Sequence, residues 1–265
     1  MVWAGANPRE ATLVTDNAVL EARDLTRRFG GLIAVDHVSL ALRVGELHAL
    51  IGTNGAGKST VINLLSGELP CTNGSMLLDG HEISNWPQAR RAHAGIGRSY
   101  QRTTIFPEFT VLENCRLCAQ AARPGAWRFF EAARNCKASL ERAHAALAAT
   151  GLADAAQRLA GSMSHGEKRQ LEIAMCLATE PRVLLLDEPL AGMGQEESER
   201  LLSLLENLKP GHAILLVEHD MDAVFRVADI ITVMVNGAVI ASDTPGAIRV
   251  NAQVQHAYLG EGVHD

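Results

Sequence analysis

The eight residues Gly52-Thr-Asn-Gly-Ala-Gly-Lys-Ser59 have the residue types and the spacing of a loop that binds phosphate groups. Glycines let such a loop curl so that its backbone N–H groups point inward, where a Cβ would resist the required dihedral angles. Lys58 can reach the β- and γ-phosphates of a nucleotide, the Ser59 hydroxyl can ligate Mg²⁺, and Thr60 is expected to begin a helix whose positive end faces the phosphates. The stretch therefore predicts a protein that binds and hydrolyses ATP. The other residues expected to contact the nucleotide are Gly52, Thr53, Asn54, Gly55, Ala56 and Gly57.

An acidic pair further along the chain can supply the rest of this chemistry. Val183–Leu186 is an apolar run, and Asp187 and Glu188 follow it directly. Asp187 is expected to hold Mg²⁺, directly or through water, and Glu188 to orient and deprotonate the attacking water. Many strands end in a solvated acid, so the pair alone is a weak signal. Combined with the loop upstream, it indicates nucleotide hydrolysis.

Short apolar runs and helical patterns position both motifs. Leu47–Ile51 reads as a buried strand that ends at the loop, and Ser59–Leu65 has helical spacing up to Gly67. Beyond Pro181, strands are predicted at 183–186, 213–217 and 230–235, with helices at 196–208 and 220–228. This alternation implies a largely parallel sheet covered on both faces.

The segments outside this core have different patterns. The stretch 111–159 is rich in Ala, Leu, Glu and Arg, which favour helices. The remaining predictions are strands in 19–42 with a turn at Gly30-Gly31, a strand at 75–78 between Asn73-Gly74 and Asp79-Gly80, and a hairpin turn at Asn236-Gly237. Along the chain, an α/β core is followed by a helical insertion, after which the core resumes.

Composition narrows the class of protein. The chain has 265 residues, of which 47% are hydrophobic and 20% charged, as in a globular protein with a sizeable core. The net charge of -6 gives no electrostatic reason to expect nucleic-acid binding. No transmembrane segment or signal peptide is expected, and five scattered cysteines favour a reduced compartment.

Between the two halves of the predicted site lies Met163-Ser-His-Gly-Glu-Lys-Arg-Gln170, which resembles the signature sequence of ABC-transporter ATPases. Ser164 and Gly166 match that signature, whereas Met163, His165 and Glu167 depart from it. The resemblance implies that Ser164 and the helix start after it contact the γ-phosphate of ATP held by the opposite subunit. Seen alone, Ser164 and Glu167 could equally be a capping box.

Other elements of that family follow in order. The resemblance implies that Phe29 stacks on adenine, that Gln101 senses Mg²⁺ and links the core to the helical insertion, and that His219 holds the γ-phosphate and orients the base. Gly194 stands where the family has an aspartate that contacts the partner's site. A side-chain role at that position is therefore in doubt.

The family resemblance also implies a fold and a division of the chain. The expected fold class is α/β, a RecA-like P-loop NTPase core with an antiparallel β subdomain and an inserted α-helical subdomain. We expect a lead-in at 1–18, an ABC ATPase domain at 19–240 with the helical subdomain at about 100–162, and a C-terminal extension at 241–265.

Several stretches narrow the resemblance to ATP-binding subunits of branched-chain amino-acid importers, whose relatives serve amides or urea. They are Phe29-Gly-Gly-Leu-Ile-Ala-Val35, Phe106-Pro-Glu-Phe-Thr-Val-Leu-Glu-Asn114, Leu171-Glu-Ile-Ala174, Val217-Glu-His-Asp-Met221 and Ala257-Tyr-Leu-Gly260. The implied partners are a second ATPase subunit, identical or related, transmembrane permeases, and indirectly a solute-binding protein. The implied location is peripheral, on the cytoplasmic face of the inner membrane. A soluble ABC ATPase acting on ribosomes or DNA and a P-loop regulatory switch are the alternatives.

Overall fold

The computed structural model describes residues 18–100, 104–122 and 137–259. Its strands are β1 Leu20–Phe29, β2 Leu32–Leu42, β3 Leu47–Gly52, β4 Asn73–Leu78, β5 His81–Glu82, β6 Ile96–Arg98, β7 Val183–Asp187, β8 Ala213–Val217, β9 Ile230–Val235 and β10 Ala238–Asp243. Its helices are α1 Lys58–Ser66, α2 Gln88–His93, α3 Val111–Ala121, α4 Lys137–Ala149, α5 His165–Leu177, α6 Gln195–Leu208, α7 Met221–Val227, α8 Pro245–Arg249 and α9 Ala252–Leu259.

The central sheet places both predicted motifs at the same edge, at the ends of two strands that a third strand separates. Its strand order is β10-β9-β3-β8-β7-β6, and β3 pairs in parallel with both β8 and β9. Every residue of β3, β7 and β8 is buried, because these apolar strands are covered on both faces. The loop after β3 and the acidic pair at the end of β7 therefore emerge on the same edge, separated by β8. The predicted parallel core is confirmed.

The second sheet has the order β2-β1-β4-β5 and is antiparallel. The predicted turn at Gly30-Gly31 joins β1 to β2. Strand β4 begins at Asn73, two residues before the predicted start, because it continues pairing with β1 up to Thr26. Gly74 has a φ of 96°, and a Cβ there would lie 2.5 Å from the Asp24 carbonyl oxygen.

A separate apolar cluster joins α3, α4 and α5. Its buried members include Val111, Cys115, Ala143, Leu147 and Leu171. Within its described residues, 111–122 and 137–159, the helix-favouring stretch therefore forms helices with a small core of their own, beside the central sheet.

The chain after β9 turns back at Asn236-Gly237 into β10, as predicted. Ile248 and Val254, from α8 and α9, pack against the central sheet at Ile51 and Val233. Among the residues described, no helix combines the length and the apolar character that crossing a membrane requires.

Candidate nucleotide-binding site

A cavity of about 560 Å³ lies where β3 ends and α1 begins. It is bordered by the loop after β3, by the start of β2 and by the turn at Asn236-Gly237. The predicted site residues that line it are Phe29, Asn54, Gly55, Ala56, Gly57, Lys58, Ser59, Thr60 and Glu188. The fold thus gathers most of the predicted nucleotide contacts around one cavity.

Two loop glycines are required by packing as well as by backbone shape. A Cβ at Gly57, whose φ is 99°, would lie 2.3 Å from the Ala34 carbonyl oxygen. A Cβ at Gly52 would lie 2.3 Å from the Met234 carbonyl oxygen. Helix α1 begins at Lys58, two residues before the predicted start at Thr60, because Val61 N already donates to Gly57 O at 2.9 Å. The first N–H groups of α1 therefore face the cavity side of the loop.

Lys58 is a buried cation that contacts carbonyl oxygens of the loop. Its Nζ donates to Gly52 O at 2.7 Å and to Thr53 O at 3.0 Å. Burial lowers the pKa of Lys58, while Glu188 and Asp187 nearby act in the opposite direction. A buried ammonium group held by carbonyl oxygens is well placed to bind a phosphate oxygen.

Asp187 is the last residue of β7 and is 4% exposed. Within the described part of the chain, its Oδ1 is buried and has no hydrogen-bond partner. Burial raises the pKa of Asp187, whereas Arg98, Lys58 and the Ser59 hydroxyl act to lower it. An orphaned carboxylate oxygen near a hydroxyl is a donor set that suits Mg²⁺. The residues present therefore fit the predicted metal.

Glu188 lines the cavity and has an unusual backbone conformation. Its φ of 48° lies in the left-handed region, which costs a non-glycine residue about 1–2 kcal/mol. Its N–H donates to Val217 O at 2.9 Å, so the neighbouring strand β8 holds this geometry. The strained residue thus stands at the wall of the cavity.

The comparisons with known proteins agree with this geometry. The family model described as ABC transporter matches residues 35–191, more than half of the chain. The chain belongs to the ABC transporter family. The predicted family, its P-loop NTPase fold and its ATPase class are thereby confirmed.

Curated relatives of this ABC ATPase match nearly its whole length. It is 40% identical over 251 residues to the high-affinity branched-chain amino acid transport ATP-binding protein BraF of Pseudomonas aeruginosa, covering 92% of this chain and 98% of that protein. The identity and both coverages are the same for LivG of Escherichia coli.

Solved structures of ATP-binding cassettes share the fold. A nucleotide-free ATP-binding cassette from an ABC transporter superposes with a TM-score of 0.81 at 28% identity, covering 91% of this chain and 98% of that one. An ATP-binding cassette in its ADP conformation gives 0.79 at 29% identity, with coverages of 92% and 99%.

The signature segment of this ABC ATPase lies away from the cavity. Ser164 is the N-cap of α5, and its hydroxyl accepts from Glu167 N at 3.2 Å. The Glu167 carboxylate in turn accepts from Ser164 N at 2.8 Å. The capping box, which was the alternative interpretation of Ser164 and Glu167 in the sequence, is therefore present. Ser164 and Gly166 are not among the residues that line the cavity of their own subunit.

The remaining predicted residues differ in how they are placed. Phe29 is 43% exposed at the cavity wall, with the Arg27 guanidinium 4.6 Å above its ring. His219 follows β8, and its side chain is 64% exposed. Gln101 falls outside the described residues.

One carboxylate that the sequence analysis gave no role is fully buried beside His219. Glu218 accepts hydrogen bonds from Leu190 N at 2.8 Å and from His219 N at 3.2 Å. It therefore links the loop after Glu188 to the segment after β8. The signal available in the sequence was an acidic residue directly after an apolar strand, the same pattern that identified Asp187.

Proposed function

We propose that this chain is the ATP-hydrolysing subunit of an ABC importer for branched-chain amino acids or related small solutes such as amides or urea. The observation that carries the proposal is the 40% identity to BraF and LivG over 92% of the chain. The cavity described above supplies the chemistry that such a subunit needs, since Lys58 and Glu188 border it.

Each predicted residue then has a part in the reaction. Backbone N–H groups of the loop and Lys58 hold the phosphates, and Phe29 stacks on the adenine. Glu188 accepts a proton from the attacking water, and His219 orients Glu188 and holds the γ-phosphate. Ser59, Gln101 and Asp187 would hold Mg²⁺, which would supply positive charge to neutralise the phosphates.

The complete site needs a second ATPase subunit. Ser164 and Gly166 do not line the cavity of their own subunit, so in this proposal they serve the ATP of an identical or related partner. ATP binding closes the pair, and hydrolysis with phosphate release reopens it. We assign this chemistry to the domain at 19–240 and the coupling to the permeases to its helical subdomain at about 100–162. Residues 1–18 and 241–265 are flanking segments.

The proposed assembly includes transmembrane permeases and, through them, a solute-binding protein. The ATPase subunits lie on the cytoplasmic face of the inner membrane as peripheral proteins. An exposed aromatic pair, Phe106 and Phe109 with ring centroids 5.5 Å apart, supports a protein contact near the helical subdomain.

The test is reconstitution of transport. The tagged chain is purified from detergent extracts, and the permeases that accompany it are placed in proteoliposomes with labelled leucine, acetamide or urea. We expect ATP-dependent uptake of one of these solutes, abolished when Lys58→Ala replaces the wild-type chain. Purification without any transmembrane protein, at ATPase rates equal to those of the assembled complex, would contradict the proposal.

A further inference from the structure

The N-termini of α5 and α6 meet at one carboxylate, that of Glu197. The hydroxyl of Ser164, the N-cap of α5, donates to Glu197 Oε1 at 3.4 Å. The N–H of Gly194, the N-cap of α6, donates to Glu197 Oε2, also at 3.4 Å. A Cβ at Gly166 would lie 2.5 Å from Glu197 Oε1. The carboxylate therefore lies directly against the first turn of the signature helix.

This position suits an anion. A helix N-terminus carries partial positive charge and N–H groups without partners inside the helix, so it attracts carboxylates and phosphates alike. Glu167, which lies on the first turn of α5 itself, accepts from Ser164 N at 2.8 Å and forms an ion pair of 2.7 Å with Arg158. The two carboxylates at this turn therefore differ, since Glu167 is held by a cation whereas Glu197 takes the hydrogen of the Ser164 hydroxyl.

Ser164 and Gly166 are also the residues assigned above to the γ-phosphate of ATP that a second subunit holds. Ser164 Oγ already accepts from Glu167 N at 3.2 Å, so its one hydrogen can go to a single acceptor, either Glu197 or a phosphate oxygen. A γ-phosphate at the same place would meet the negative charge of Glu197 at close range, and this repulsion costs free energy. The carboxylate and the phosphate therefore exclude each other.

We propose that Glu197 is autoinhibitory: its carboxylate occupies the signature site of the free subunit and must withdraw before the γ-phosphate of a partner's ATP can bind there. This inference rests on the proposed function, because it requires that two subunits share each ATP. Both hydrogen bonds of the carboxylate are long, so the one to Ser164 is readily exchanged, while the Gly194 N–H still holds Glu197 at the start of α6. The pair then closes around ATP, whereas ADP, which lacks a γ-phosphate, leaves Glu197 in place.

The first experiment tests the site in a single subunit, with inorganic phosphate as the probe. Phosphate is titrated into the full chain while the amide resonance of Gly166 is followed by NMR. Glu197→Gln keeps the size of the side chain and removes its charge, so the affinity reported by Gly166 should be at least about fivefold higher than in wild type. Equal or lower affinity in the variant would overturn the proposal. The measurement needs neither ATP hydrolysis nor a second subunit, so it separates failure of this inference from failure of the proposed function.

Glu196→Gln is the matched control for this titration. It removes one negative charge from the same turn of α6, but the Glu196 side chain is 83% exposed and pairs with Arg200 at 2.6 Å, one turn along the helix. An exposed pair contributes little to stability, so the variant should fold normally and its phosphate affinity at Gly166 should stay within about twofold of wild type. A rise equal to that of Glu197→Gln would show that net charge alone is responsible and would overturn the proposal.

The second experiment measures closure of the pair. Glu197→Gln and Glu196→Gln are each combined with Glu188→Gln, which should retain bound ATP, and ATP-dependent association is followed by sedimentation velocity, with the chain alone and with the ATPase subunit that co-purifies with it. Relative to Glu188→Gln alone, Glu197→Gln should lower the Kd of association about tenfold, and Glu196→Gln should leave it within about twofold.

The possible failures of these experiments have different meanings. An unchanged or higher Kd with Glu197→Gln would show that its carboxylate does not oppose closure and would overturn the inference. Absence of ATP-dependent association in all three proteins would overturn the two-subunit mechanism and the inference with it. Equal phosphate affinity in the first experiment would overturn the inference alone.

Discussion

The Glu218 carboxylate and the Leu190 N–H are joined by a hydrogen bond of 2.8 Å across 28 positions of sequence. Glu218 is fully buried, and its second oxygen accepts from His219 N at 3.2 Å. Leu190 follows Glu188 by two residues, so a single carboxylate fixes the loops that carry the proposed base and the proposed γ-phosphate contact. Replacement of Glu218 should therefore change the rate of ATP hydrolysis.

Replacing Glu218 by alanine should lower turnover more than nucleotide binding. The change leaves the Leu190 and His219 N–H groups without their acceptor, which costs about 1–3 kcal/mol per buried donor. We expect kcat for ATP to fall about tenfold or more and KM to change less than about threefold, measured by steady-state phosphate release. Glu218→Gln is the matched control, since its amide oxygen still accepts one of the two bonds. Equal loss of ATP affinity and kcat in Glu218→Ala would argue for general unfolding of the site.

The same residue predicts a pH dependence of stability. Burial raises the pKa of Glu218 above its ordinary value of 4.5, although the Leu190 and His219 N–H groups oppose the rise. The folded chain therefore binds the Glu218 proton more tightly than the unfolded chain does. The contribution of Glu218 to the free energy of unfolding is then fully present below about pH 4.5, and it is lost as pH rises through the raised pKa of the folded chain. Urea unfolding of wild type and Glu218→Gln should show the wild type losing more stability between about pH 4.5 and neutrality. An identical pH profile for the two proteins would contradict this assignment.

The motifs and the strands of the core could be predicted because their signals are local. Apolar runs ending at Gly52 and Asp187 mark buried parallel strands, and the loop residues carry their own chemistry. The order of the sheet, with β3 between β8 and β9, was not predictable, since no local pattern records which buried strands pair.

The contacts that position the site could not be predicted from the sequence for the same reason. Glu172 reaches Thr104 across 68 positions, and Arg98 reaches Asn63 across 35. Each of these side chains reads in the sequence as an ordinary charged residue of a helix or strand end. Only the fold shows that Glu172 is buried and accepts from a backbone N–H, and that Arg98 is half-buried and donates to the Asn63 side chain.

Replacing Lys58 by alanine tests the phosphate-binding loop. The variant loses a charge-assisted contact worth about 1.5–3 kcal/mol, so ATP affinity should fall between about 10- and 100-fold. Fluorescent-nucleotide titration measures this directly. Lys58→Arg keeps the charge and should lose less affinity. Wild-type affinity in Lys58→Ala would refute the proposed role of the loop.

Replacing Glu188 by glutamine tests the proposed base. The amide keeps the size of the side chain but cannot accept the proton of the attacking water, so turnover should fall by about 10²–10⁴-fold. ATP binding should be retained, because the loop and Lys58 are untouched. Single-turnover hydrolysis and equilibrium titration on the same preparation separate the two steps. Normal turnover in Glu188→Gln would require a different base.

The position of Ser164 predicts that turnover depends on association. Its hydroxyl caps α5 and does not line the cavity of its own subunit, so a monomer has the loop but not the signature contact. We expect the isolated chain to bind ATP at any concentration, while its rate of hydrolysis per molecule rises with protein concentration or on adding the related partner subunit. Ser164→Ala should weaken the concentration-dependent rate and leave binding by the monomer unchanged. Full turnover by a monomer, confirmed by light scattering and independent of concentration, would place the whole site within one chain and contradict the two-subunit mechanism.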